Sequence, residues 1–91
     1  MLKLEKVVAV SAGTTAKDVE VRGLACLVQN NSDSATVYLR EKRSDGTAAS
    51  SSNGWRLAPG ETLPFPVVAM TLSVVASAAS TEVRVMILDE G

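Results

Sequence analysis

Residues 54–66 (Gly-Trp-Arg-Leu-Ala-Pro-Gly-Glu-Thr-Leu-Pro-Phe-Pro) constrain the fold more than any other stretch of the chain. They hold every proline, Pro59, Pro64 and Pro66, and two of the three aromatics, Trp55 and Phe65. Ala58-Pro59-Gly60-Glu61 fits a type II turn, because proline presets φ at the second position and glycine accepts the positive φ needed at the third. The pieces on either side are too short for helices and read as strand ends meeting at a tight corner. Pro64 and Pro66 lack amide donors, so the chain here is expected to run along a sheet edge or to switch sheets. Trp55 and Phe65 are expected to anchor this corner in the core.

The rest of the chain reads as strand and turn. Among the 91 residues are 13 Val, 7 Thr and 1 Ile, and such β-branched side chains suit a pleated surface better than a helix. Residues 2–10 form a first strand, with Leu2, Leu4, Val8 and Val10 expected on one face and Lys6 interrupting. Residues 17–22 alternate, Val19 and Val21 inward, before Gly23 marks a bend. Residues 24–29 read as a strand buried on both sides. A turn at Asn30-Asn31-Ser32-Asp33 and a strand over 35–42 would complete a hairpin. Residues 43–53 are small and polar, and predict a mobile, exposed loop. After the proline corner come a strand near 72–77, a turn at Ala78-Ala79-Ser80 and a closing strand over 81–88. That last strand has Val83, Val85 and Ile87 on one face and Met86 and Leu88 among the polar residues of the other. Residues 89–91 read as a frayed tail. Turn signals about every ten residues predict one all-β domain over 1–91, an antiparallel β-sandwich of jelly-roll or Ig-like type.

Composition argues mostly by exclusion. There is no histidine, which removes Ser-His-Asp and Cys-His arrangements and imidazole zinc sites. Cys26 is the single cysteine, so no disulfide forms within the chain, and its apolar neighbours mark it as a small buried hydrophobe. Asp18 and Glu20 share a strand face, and Asp33, Glu41 and Asp45 flank the expected hairpin. These acids read as solvated strand faces rather than as a catalytic pair across a cleft. The oxygen-rich turn at Asn30, Asn31 and Asp33 lacks the acid spacing of a calcium loop. No catalytic residue, metal ligand or cofactor site is expected.

Nine basic and ten acidic residues, spread evenly, leave no basic stripe for nucleic acid. Residues 62–81 are uncharged and long enough to span a bilayer, but eight of the twenty are Pro, Ser or Thr, which predicts two strands. Charges in the first six residues stand where a signal peptide would be apolar, so none is expected, and the single cysteine favours a cytoplasmic origin. The candidates for protein contact are Trp55 and Arg56, residue types enriched at interface hot spots. Tyr38 joins them on the polar side of its strand, beside a modest basic patch of Arg40, Lys42 and Arg43. Leu2 and Leu4 belong to a possible N-terminal arm over residues 1–6.

The order of these pieces resembles a known group. Leu27-Val28-Gln29-Asn30-Asn31-Ser32, then Ala35-Thr36-Val37-Tyr38-Leu39, then residues 54–61, is similar to small β-sandwich structural proteins of tailed bacteriophages. Residues 72–77 and 82–85 look like the closing hairpin of those proteins. Arg40 stands where their usual pattern has glycine, so contacts of that loop are not carried over. The resemblance implies a virion protein: a capsid decoration (cement) subunit, assembled in the bacterial cytoplasm, bound to the major capsid protein and forming homotrimers. A tail, neck or fibre-base subunit is the alternative within that group, and a small receptor- or carbohydrate-binding module is the alternative outside it.

Overall fold

A computed structural model describes residues 2–42, 46–66 and 69–90, without the side chain of Phe65. Eight strands, β1 (Leu2–Ala12), β2 (Lys17–Arg22), β3 (Ala25–Asn30), β4 (Val37–Glu41), β5 (Trp55–Leu57), β6 (Thr62–Pro66), β7 (Ala69–Ala76) and β8 (Thr81–Glu90), form two sheets. The orders are β1-β8-β3-β6 and β2-β7-β4-β5, with every pairing antiparallel. Strands pair first with last: β1 with β8, β2 with β7, β3 with β6, β4 with β5. The chain is thus a long antiparallel ribbon doubled between β4 and β5 and wound into two layers. Of the two expected sandwich types, this is the jelly roll.

Alternation decides what lies between the layers. Val83, Val85 and Ile87 face inward from β8, Cys26 and Val28 from β3, and Val37, Leu39, Leu72 and Val74 from the opposite sheet; all are buried. The core is thin and valine-rich, as the composition implies. β-Branched side chains pack on both pleated surfaces with little rotamer freedom to lose.

The turn of the proline corner forms as expected. Glu61 N–H donates to Ala58 O at 3.0 Å, and Gly60 has φ +82°. The Glu61 carboxylate also accepts from Ala58 N–H at 2.6 Å. The corner carries the chain from β5 in one sheet to β6 in the other, and both are edge strands, where a missing proline donor leaves no ladder bond unmade.

Several expectations are corrected. Residues 24–41 are not a hairpin, nor are β7 and β8: each strand crosses to the opposite sheet, because β3 is already flanked by β8 and β6 while β4 is flanked by β7 and β5. Asn30 makes the first crossing. Its buried amide donates to Ala35 O at 2.8 Å and Leu57 O at 3.0 Å, tying the end of one sheet to two segments of the other. Ser32 Oγ closes the turn by accepting from Ser34 and Ala35 N–H. At the β2–β3 crossing, Gly23 is required for space: a Cβ there would stand 2.7 Å from Ile87 Cγ2 and 2.9 Å from Leu88 O.

In β1, the register shifts between Leu4 and Lys6. One extra residue turns the strand over, so Leu2 and Leu4 face opposite to Val8 and Val10 rather than with them. Residues 2–6 pair along β8 as part of the sheet, and Asp89 and Glu90 are strand residues opposite Lys3 and Leu2 instead of a frayed tail. Gly91 lies outside the described residues. Of the exposed loop expected over residues 43–53, the described part, 46–53, is mostly exposed but is hydrogen-bonded in place. Ala49 is buried, with its N–H donating to Ser73 Oγ at 2.8 Å. Asn53 accepts from Ser50 N–H and donates to Ala48 O. The small polar side chains supply the bonds that apolar surface does not. Residues 43–45 lie outside the described set.

Candidate interaction surface

The outer face of the β1-β8-β3-β6 sheet is built by register. Cross-strand partners point the same way, so the pairings place side chains in rows. One row runs Leu4, Leu88, Ala25, Pro66; the next runs Val7, Met86, Leu27, Pro64. These eight apolar side chains form a block without a charge. Leu4 is 55% exposed and Val7 51%; Leu88, Met86, Leu27 and Ala25 are half-buried, and both prolines are exposed. Residues 24–29, expected to be buried on both sides, are therefore buried only inward, at Cys26 and Val28. Contiguous apolar patches on monomeric proteins rarely exceed a few hundred Å², and large ones tend to be functional.

Rows that mix polar and apolar residues frame the block. Beyond Leu4 and Leu88 lie Leu2 and Glu90; beyond Val7 and Met86 lie Ala9, Arg84, Gln29 and Thr62. Farther on, Glu82 accepts from the Asn31 amide at 2.7 Å and stands 3.4 Å from Arg84. That amide bond, with Arg84 adding to it, holds the Glu82 carboxyl below its ordinary range.

The expected contact residues do not form one site. Leu2 and Leu4 belong to this outer face, turned there by the bulge. Tyr38 and Arg56 face each other across β4 and β5 on the outside of the second sheet. Tyr38 is half-buried against Gly54, while Arg56 is exposed. Arg40 is half-buried, its Nε donating to Glu41 O at 3.4 Å. Trp55 is not a core residue: it is 61% exposed. It starts a three-residue edge strand and lines an open groove between the sheets with Leu39, Leu63, Met70 and Leu72, where neither sheet has a further strand to cover it. The anchoring role expected of Phe65 lies outside the described residues, as does Arg43.

Two of the acids, Asp18 and Glu20, are occupied with structure. Lys42 pairs with Asp18 at 2.9 Å, and Thr71 donates to Glu20 at 2.7 Å. Asp45 lies outside the described residues, and among those described no three Cys, Asp or Glu side chains gather as a metal site. The Asn30 amide is buried and spent on Ala35 O and Leu57 O. Burial pushes the Cys26 thiol up to about 11, so little reactive thiolate is present at neutral pH. Among the described residues no helix is long and apolar enough to cross a membrane, and residues 62–66 and 69–76 are strands.

The apolar block was only half visible in the sequence. Met86 and Leu88 stand out on the polar side of β8, and Leu27 sits in an apolar run, but only pairing register places them beside Val7 and Pro64. Comparison with known proteins finds no matching family model, no matching curated protein and no matching solved structure.

Proposed function

We propose that this chain is a structural subunit of a larger protein assembly, working by contact rather than by chemistry. Following its resemblance to small phage proteins over residues 24–88, we propose a decoration subunit on the major capsid protein lattice of a tailed bacteriophage. The observation that carries the reading is the uncharged block on the outer face of the β1-β8-β3-β6 sheet. The Trp55 groove, which meets the block at Pro66 and carries Arg40 and Glu41 on its wall, extends the contact surface around the sheet edge. The jelly roll agrees only by analogy, since the same architecture serves capsid proteins and lectins alike.

The mechanism is linkage. A subunit that binds the assembled lattice and not its dissociated parts shifts the equilibrium against disassembly. Genome release from capsids carrying the protein should therefore need a higher temperature than release from capsids lacking it, and adding the purified protein back should restore the difference. Coincident release curves would remove the decoration reading. A copy number on the scale of a tail ring rather than of the lattice would move the subunit to the tail or neck.

A further inference from the structure

We infer that the apolar outer face is occupied by a second copy of this chain, packed face to face about a two-fold axis. The argument is the arrangement of residues about Ile87. On β8, Met86 and Leu88 lie one residue to either side of Ile87, and Arg84 and Glu90 lie three residues to either side. On β3, Ala25 and Leu27 flank Cys26, the register partner of Ile87; on β6, Pro66 and Pro64 flank the same level. On β1, Leu4 and Val7 flank the bulge, with Leu2 and Ala9 beyond.

A half-turn about an axis lying in the face, across the strands at Ile87, superposes these rows in reverse. Leu88 then meets Met86 of the partner copy, Leu4 meets its Val7, and the proline pair meets itself. Large side chains meet small ones, Leu27 over the partner's Ala25 and Leu2 over its Ala9. Each Arg84, which also stands 3.4 Å from Glu82 of its own chain, meets the partner's Glu90, twice per pair. An unrelated partner need not present opposite charges at equal distances from an apolar centre; a second copy does so by symmetry. The two β8 strands run antiparallel, as in aligned sheet-on-sheet packing. With rows about 6.8 Å apart and strands about 4.8 Å apart, the face from Leu2 to Ala9 covers roughly 500 Å² in projection. That is below the about 800 Å² per partner of a standard interface, so the pair forms reversibly with concentration.

An isologous contact of this kind closes at two copies, unlike the trimer that the phage resemblance implies. The inference does not rest on the lattice reading. A trimer would overturn the pair and leave that reading standing, whereas coincident capsid-release curves would do the reverse.

The test is sedimentation equilibrium over a concentration series. The wild-type mass should rise from one chain to two and stop. Leu88→Lys, which places a charge at the centre of the block, should hold the mass at one chain while the unfolding midpoint is kept. Arg84→Glu and Glu90→Arg, both on the exposed rim, should each weaken self-association at least tenfold. An equimolar mixture of those two variants should pair again, because every facing charge is then opposite. A wild-type mass of one chain throughout, a mass of three, a Leu88→Lys protein that pairs like wild type, or a mixture no tighter than its components would each overturn the inference.

Discussion

The two outer faces of this sandwich are treated in opposite ways by the chain that makes them. The β2-β7-β4-β5 sheet carries Ser73, Val75 and Tyr38 outward at its centre, and residues 48–54 lie across them. Ala49 N–H reaches Ser73 Oγ, and Gly54 sits against the Tyr38 Cβ. Every residue of β7 from Leu72 to Ala76 is buried as a result, on both sides of the sheet. The β1-β8-β3-β6 sheet carries the eight-residue apolar block outward, and no described segment lies over it. The more polar face is covered and the more apolar face is bare. Intrachain cover here is held by hydrogen bonds from a serine-rich segment, which suits a face offering a serine hydroxyl. The bare face offers no such acceptor in its centre, and its burial is left to another surface.

The largest way to break this contrast is to lift the cover. In Gly54→Ala the new Cβ would stand 2.9 Å from Tyr38 Cβ and 3.1 Å from Leu39 N and Ser50 O. Two of these neighbours are backbone atoms that cannot rotate aside, so a loss of about 1–3 kcal/mol is expected from urea unfolding. An unchanged midpoint would mean that the segment does not rest on the sheet. Ser73→Ala removes the tether alone and leaves the buried Ala49 N–H without its acceptor, a loss of about 1–2 kcal/mol. Hydrogen exchange at the Ala49 amide should accelerate; protection equal to wild type would show that the cover is held some other way. The smallest effect belongs to the bare face. Leu27→Thr should change the stability of the dilute single chain by only about 0.5 kcal/mol, because its outward side chain is only half-buried there. A fall well beyond that, in dilute protein, would mean that the face is already covered within one chain.

Local chemistry was legible where it acts locally. The Ala58–Glu61 turn follows from Pro59 and Gly60, whose backbone preferences need no partner. The strands of Val19-Val21 and Val83-Val85-Ile87 follow from alternation, since a period of two has one meaning when one face is buried. Asn30 shows the limit. Its sequence context reads as a turn that closes a hairpin, and the same residue instead crosses between sheets, because its amide finds carbonyls at Ala35 and, 27 residues away, at Leu57. Trp55 shows another: a large apolar side chain predicts burial, but a three-residue edge strand has nothing to cover it. The candidate surface was legible only in pieces for the same reason.

The sequence by itself determined the all-β class, the proline corner at a sheet switch, and which residues of most strands turn inward. Each of these depends on backbone preference or on the spacing of neighbours along the chain. The tertiary structure alone decided which strands pair, and with that the jelly-roll order. It also decided that the extra residue in β1 turns Leu2 and Leu4 outward, that residues 48–54 cover one face, and that eight apolar side chains meet on the other. Those outcomes depend on register between segments as far apart as Leu4 and Leu88, and a slip of one residue would send every such side chain to the opposite face.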